Sequence, residues 1–236
     1  MVGTSGWSYD HWRGSFFPPE LPKAEHLGYY AARFPGVEIN NSFYHLPAVD
    51  TLKEWREAVP DGFVFTAKAS RYVTHMKKLK DPRNGLTTFL DRITLLGDRL
   101  GPILFQLPPH WHFDAARLEA FLKALSHDFR HAFEFRDPSW LNDDTYELLS
   151  RHGVALCIYD LDGFTSPKEL TTDFVYVRLH GPGGPYQGSY DTATLAGWAG
   201  AFHSWAAAGH GVHCYFDNDE AGYAPANAGR LRDMVS

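Results

Sequence analysis

Ala132-Phe133-Glu134-Phe135-Arg136 and Tyr176-Val177-Arg178-Leu179-His180 each set charged or basic side chains two residues apart, between apolar ones. A β-strand sends successive side chains to opposite faces. Glu134 therefore shares a face with Arg136, and Arg178 with His180. Val37-Glu38-Ile39-Asn40 and Phe65-Thr66-Ala67-Lys68 repeat the pattern. Charges collected at the carboxyl ends of successive strands are the arrangement of an active site on a β/α barrel.

Outward from these runs, strand and helix signals alternate. Strands are expected at Val2 to Gly6, Val37 to Phe43, Phe63 to Ala69, Pro102 to Leu107, His131 to Arg136, Val154 to Tyr159, Phe174 to His180 and Val212 to Phe216. Helices are expected near Lys23 to Phe34, Val49 to Val59, Gly85 to Leu100, Ala115 to Leu125 (capped by Asp114), Asp143 to Arg151, Leu195 to Ala208 and Pro225 to Val235. The weak point follows strand six. Between Asp160 and Asp173, Ser166-Pro167-Lys168-Glu169-Leu170 allows about one helical turn.

Eight strands alternating with helices imply parallel strands and right-handed crossovers. The expected fold class is α/β, a single (β/α)8 TIM-type barrel over residues 1–236, irregular after strand six. The rival, a doubly wound open sheet, would carry a glycine-rich fingerprint after strand one, and Gly3-Thr4-Ser5-Gly6-Trp7 is not one.

Composition narrows the function classes. The 236 residues are 44% hydrophobic and 15% aromatic, which suffices for a large core. A net charge of −6 argues against a broad electrostatic nucleic-acid binder, though not against a local basic patch. Cys157 and Cys214 sit in apolar runs and read as buried thiols. The first residues lack a signal-peptide pattern, and no apolar run is long enough for a membrane span. A cytoplasmic protein is expected.

The strand ends nominate the site. Glu38, Lys68, Glu134 and His180 are the candidate catalytic groups. Trp7, Asn40, Gln106, Arg136, Trp140, Arg178, Gly181, Tyr186, Asp217 and Asn218 are the candidate substrate-binding groups. Packed together, such groups shift one another's pKa values, which acid/base chemistry exploits. The competing reading is a closed ion-pair network, with Glu38 to Lys68 and Glu134 to Arg178 filling the barrel, although buried charge networks are weak sources of stability. Lys68 reads as a cation for a phosphate or carboxylate, in preference to a Schiff-base amine. Glu38 with Glu134, or Glu134 with Asp217, would suit glycoside hydrolysis only at a separation of roughly 5 to 9.5 Å.

Gly181-Pro182-Gly183-Gly184-Pro185-Tyr186-Gln187-Gly188 follows strand seven, where barrels often hold phosphate through backbone N–H groups. Arg71, Lys77, Lys78, Lys80 and Arg83 make the loop after strand three basic. Trp7, Trp12, Phe43, Tyr44, Tyr72, Trp111, Trp140 and Tyr186 are expected on the same rim. Thirteen histidines are present, but no ligand spacing stands out, so neither metal nor cofactor is expected.

Together these motifs resemble the YecE-like family, domain-of-unknown-function family seventy-two. The segments that carry the resemblance include Gly6-Trp7-Ser8-Tyr9, Val37-Glu38-Ile39-Asn40-Asn41-Ser42-Phe43-Tyr44, Leu104-Phe105-Gln106-Leu107-Pro108-Pro109 and Tyr215-Phe216-Asp217-Asn218-Asp219. The matching segments run in order over nearly the whole chain. The resemblance implies a TIM-type barrel and no established reaction. Asp217 departs from it, standing where the family pattern has Asn.

The expected function is acid/base catalysis on a small anionic substrate, phosphorylated or carboxylated, with hydrolase, lyase and isomerase chemistry all open. Arg136, Arg178, Lys68 and the loop after strand seven would hold the anion. Glu134 or Glu38 would act as base and His180 as acid. The alternatives are a nucleic-acid-binding barrel resembling repair endonucleases, and a non-catalytic ligand sensor using the same pocket.

Overall fold

A computed structural model describes residues 1–236. Eight parallel strands make the wall of a nearly closed barrel: β1 Val2–Thr4, β2 Gly36–Ile39, β3 Val64–Lys68, β4 Leu100–Gln106, β5 His131–Glu134, β6 Ala155–Leu161, β7 Phe174–Leu179 and β8 Gly211–Phe216. Each strand from β2 to β7 pairs with the next, and β8 returns to pair with β1.

The alternation read from the sequence divides the wall into two faces. Leu104, Ala132, Ala155, Cys157, Tyr176 and Tyr215 turn inward and form a small core inside the barrel. Val37, Phe65, Phe105, Phe133, Val177 and Phe216 turn outward into the main core beneath the helices. The helices are α1 His26–Ala31, α2 Val49–Glu57, α3 Pro82–Ile93, α4 Ala115–Leu122, α5 Asp143–Arg151, α6 Thr192–Ala207 and α7 Tyr223–Val235. Asp114, Asn142 and Asp191 cap α4, α5 and α6 by accepting from the backbone N–H three residues on.

The ring closes at β1 and β2 without a regular ladder. Gly6 N donates to Glu38 O at 2.8 Å. The Tyr30 hydroxyl, brought in by α1, accepts from Thr4 N at 2.9 Å and donates to Gly36 O at 3.2 Å. It thereby satisfies one orphaned group from each strand. Gly3 is needed here, because a Cβ on it would stand 2.2 Å from Gly36 O.

Two departures from the sequence reading bear on the site. Strand two was expected to reach Phe43 but stops at Ile39. Asn40 already has helical angles, and Asn41–Phe43 form a 3-10 turn pinned by Ser42 Oγ donating to Lys68 O at 2.7 Å. No helix follows β6. Instead β6 folds back on the two-residue arm Phe164–Thr165, and the chain then runs directly to β7. The Pro167 that limited the helical signal fits this outcome.

Candidate functional site

The inward side chains at the carboxyl ends of the strands converge on Arg178, whose side chain is completely buried. Its Nη2 donates to Glu38 Oε1 at 2.7 Å and to Asp217 Oδ2 at 2.8 Å. Its Nε reaches both Glu38 oxygens at 3.1 Å, and its Nη1 donates to Glu134 Oε2 at 2.9 Å. Glu38 also accepts from Ser5 Oγ at 2.5 Å and from the Tyr176 hydroxyl at 2.6 Å. Glu134 accepts a further bond from Arg136 Nε. Burial pushes the Glu134 carboxyl up, but Arg136 and Arg178 outweigh it and hold the group well below the usual carboxylate range. Burial likewise acts against Asp217, and Arg178 with His180 overcomes it to leave that carboxyl lowered.

His180 is buried above this layer. Arg136 Nη2 stands 2.9 Å and Arg178 Nη1 3.3 Å from its Nε2. A guanidinium N–H can only donate, so Nε2 is the acceptor and the ring proton belongs on Nδ1. Nδ1 is 3.2 Å from Asp217 Oδ2, off the line of a hydrogen bond. The Tyr186 ring meets the His180 ring edge-on at 5.4 Å, from a backbone with φ +66°, a strained setting for a bulky residue. Gly181, at φ +112°, lets the loop double back, since a Cβ there would meet Gln187 O at 2.1 Å. The Tyr190 hydroxyl ties that loop down, accepting from Gly181 N at 2.9 Å and donating to Asp160 Oδ1 at 2.7 Å.

Lys68 stands apart. Its Nζ makes no hydrogen bond to protein and no ion pair, and lies 4.5 Å from the centre of the Phe43 ring. The residue keeps a little surface open at the mouth while protein surrounds most of it. Burial, then the Arg178 guanidinium, pull its ammonium down from 10.5 to about 8, against the opposing influence of Glu134, Glu38 and Asp217. The expected pairing of Glu38 with Lys68 is therefore replaced by Glu38 with Arg178. Arg178 itself is saturated by three carboxylates and His180 and has no donor left for a substrate anion. Arg136 has one, because its Nη1 makes no protein hydrogen bond.

The structure brings together Glu38, Lys68, Glu134, Arg136, Arg178, His180 and Asp217, with Gln106 beside Glu134 in the strand register. Trp7 and Asn40 line an adjoining cleft of about 180 Å³ with Gly6, Ser8, Tyr9 and Asn41. Asn40 Oδ1 is buried there without a partner. Trp140 and Asn218 are not in the site. The Trp140 ring is fully buried, stacked on Phe135 at 5.0 Å, with its Nε1 donating to Trp111 O. Asn218, next in chain to the inward Asp217, faces outward and donates to Gly188 O and Asn227 Oδ1, both at 2.8 Å. Trp12 also leaves the expected aromatic rim for the core.

Tyr176 was missed by the sequence reading, whereas Cys157 is the buried thiol it expected. Both lie inward, and the period-2 rule could have found Tyr176 as the residue two before Arg178. No group of three or more His, Cys, Asp or Glu side chains is arranged to hold a metal ion.

The family model described as "Protein of unknown function DUF72" matches residues 1–236. The UPF0759 protein YunF of Bacillus subtilis is 31% identical over 156 residues, 62% of this chain and 54% of that protein. The UPF0759 protein YecE of Escherichia coli K12 is 31% identical over 128 residues, 53% of this chain and 46% of that protein. The chain thus spans about half the length of these curated relatives. The crystal structure of a DUF72 family protein from Thermotoga maritima superimposes with a TM-score of 0.89 at 28% identity, covering 99% of this chain and 98% of that one. A DUF72 family protein from Enterococcus faecalis, at 20% identity and a TM-score of 0.83, covers 99% of this chain and 94% of that one and shares the fold.

Proposed function

This chain belongs to the DUF72 family, and from that premise we propose that the barrel mouth is an enzyme active site performing proton-transfer chemistry on a small anionic substrate. The observation that carries the reading is Lys68, a mostly buried amine with no ion-pair partner beside three carboxylates that all have one. A structural network would have paired it. A group whose pKa lies near 8 is suited to exchanging protons close to neutral pH.

In this reading Lys68 exchanges the proton and Arg136 Nη1 receives the substrate's phosphate or carboxylate. Arg178 orients Glu38, Glu134 and Asp217 and does not touch substrate. Asp217, whose side chain is 13% exposed, is the carboxylate nearest solvent and the best placed to assist. His180, with its Nε2 taken by guanidinium donors, positions Arg136. The acid role expected for His180 and the base role expected for Glu134 pass to Lys68, because both groups are committed to arginine.

A thermal-shift panel of phosphosugars, small carboxylic acids, nucleotides and oligonucleotides tests this. A ligand present at about 100 times its Kd stabilises by about 2.7 kcal/mol, about 5–11 °C at this chain length. The expected result is a shift with a small anion that Arg136→Met abolishes, followed by turnover of that compound. Binding without product would instead support a sensor.

A second reading, a single-stranded nucleic-acid binder, is favoured by Tyr44 and Tyr72, 64% and 44% exposed beside the basic loop. Shifts with oligonucleotides alone, falling steeply with salt, would replace the first reading by this one. No helix is long and apolar enough to cross a membrane.

A further inference from the structure

We propose that Lys68 is a covalent centre whose amine forms a Schiff base with a small aldehyde or ketone carrying a phosphate or carboxylate. This rests on the reading of the barrel mouth as an enzyme site and names its substrate class.

Three observations converge on that atom. Every carboxylate near enough to neutralise Lys68 is already bonded to Arg178, so the amine is not held in a salt bridge. Its Nζ lies 4.5 Å from the centre of the Phe43 ring, and no hydrogen-bond donor engages the nitrogen. It stands at the carboxyl end of β3, on the same end of the barrel as Arg136, whose Nη1 makes no protein hydrogen bond and is free to hold an anionic tail.

A lysine serving only as a fixed cation would be favoured by surroundings that support its charge, and burial with Arg178 opposes the charge here. With a pKa of about 8 in place of 10.5, the free amine at pH 7 rises from about 0.03% to about 10% of the population, about 300-fold.

The step balances. The Nζ lone pair adds to the carbonyl carbon, and the C=O π pair moves onto oxygen. One N–H proton passes to that oxygen, giving a carbinolamine. The hydroxyl then takes a proton from solvent and leaves as water, while the nitrogen lone pair closes the C=N bond. Ammonium is thereby replaced by an iminium of the same charge, so the electrostatic balance with Glu38, Glu134 and Asp217 is retained. The iminium is the electron sink for proton removal from the adjacent carbon, and with Lys68 held in it Asp217, the carboxylate nearest solvent, is the group left to take that proton.

The test is reductive trapping. The whole protein is incubated separately with glyoxylate and with dihydroxyacetone phosphate in the presence of cyanoborohydride, and modified lysines are located by peptide mass spectrometry. The expected result is an adduct on Lys68 forming about tenfold or more faster than on the exposed Lys53 and Lys123, allowing for the lower nucleophilicity of a less basic amine. Lys68→Arg should remove that adduct and leave the others. Labelling of Lys68 no faster than of Lys53 and Lys123 would overturn the proposal.

Glycerol 3-phosphate, which lacks the carbonyl, runs in parallel as a thermal-shift ligand. A shift lost in Arg136→Met, with no Lys68 adduct, would sink the covalent step and leave the active-site reading standing. Neither shift nor adduct would count against both.

Discussion

Replacing Arg178 by methionine removes the one cation shared by three carboxylates, and the cost can be worked from their geometry. Breaking a buried ion pair by deleting one partner costs about 3–5 kcal/mol. The three carboxylates do not all lose equally. Glu134 keeps Arg136, and Asp217 keeps His180 and some water. Only Glu38, whose remaining partners are the Ser5 and Tyr176 hydroxyls, is both fully buried and left without a cation. The expected loss is therefore about one buried pair, about 3–5 kcal/mol, or about 6–20 °C in Tm for a chain of this size.

The sign of the pH dependence is a sharper check. Glu134 and Asp217 have lowered pKa values in the wild-type fold. The stability they contribute is present above the unfolded carboxylate values and is lost as pH falls through the folded ones. Without Arg178, one of the cations that outweigh burial at Glu134 and Asp217 is gone, so both take up protons at higher pH than in wild type and the variant gains relative to it as pH falls. The gap in Tm should thus narrow between pH 7 and pH 4, and Arg178→Met with Glu38→Gln should recover at least half of the loss. Differential scanning fluorimetry across that range measures both. A cost below about 1 kcal/mol at pH 7, or a gap that stays constant with pH, would refute the account of Arg178 as the organiser of the carboxylates.

Lys68→Met should be more stable than wild type at pH 7 by about 1–3 kcal/mol, and the gain should vanish toward pH 10.5. The unfolded lysine binds more protons than the folded one between about 8 and 10.5, so wild-type stability rises with pH across that window; chemical denaturation at several pH values reads it. Tyr30→Phe should cost about 1–3 kcal/mol by leaving Thr4 N and Gly36 O unsatisfied, and hydrogen exchange should show faster opening at Thr4 than at Ile103. Tyr186→Gly should leave stability unchanged or raise it by up to about 1 kcal/mol by relieving the positive φ, while weakening anion binding several-fold in titration calorimetry. If affinity is untouched, Tyr186 is not a cover for the site.

Much of this molecule was legible in two-residue alternation. Glu134, Arg178, Thr66 and Lys68 sit where the strand period puts them, because a barrel wall leaves no other face for a charge. Tyr176 obeys the same rule and was passed over because a tyrosine reads as core. Asn218 and Trp140 were misplaced for different reasons: Asn218 alternates with the inward Asp217 and so turns outward, and Trp140 lies in the turn Pro138–Trp140 after β5, where the period no longer applies. The partner of each charge was the least legible feature. Lys68 and Arg178 are equally cationic in sequence, and only packing decides that the planar guanidinium, with five donors, takes all the carboxylates.

The seam at β1 also orders events in time. β1 can pair only with β8 along its ladder, and β8 is made of residues 211–216. Made before β8, β1 must wait without its ladder partner until residues 211–216 have followed it. Asp217, which directly follows β8, can reach Arg178 only when that wait is over. The site is accordingly assembled by the last act of ring closure, and a chain halted short of β8 would hold most of the barrel's strands and none of its finished chemistry.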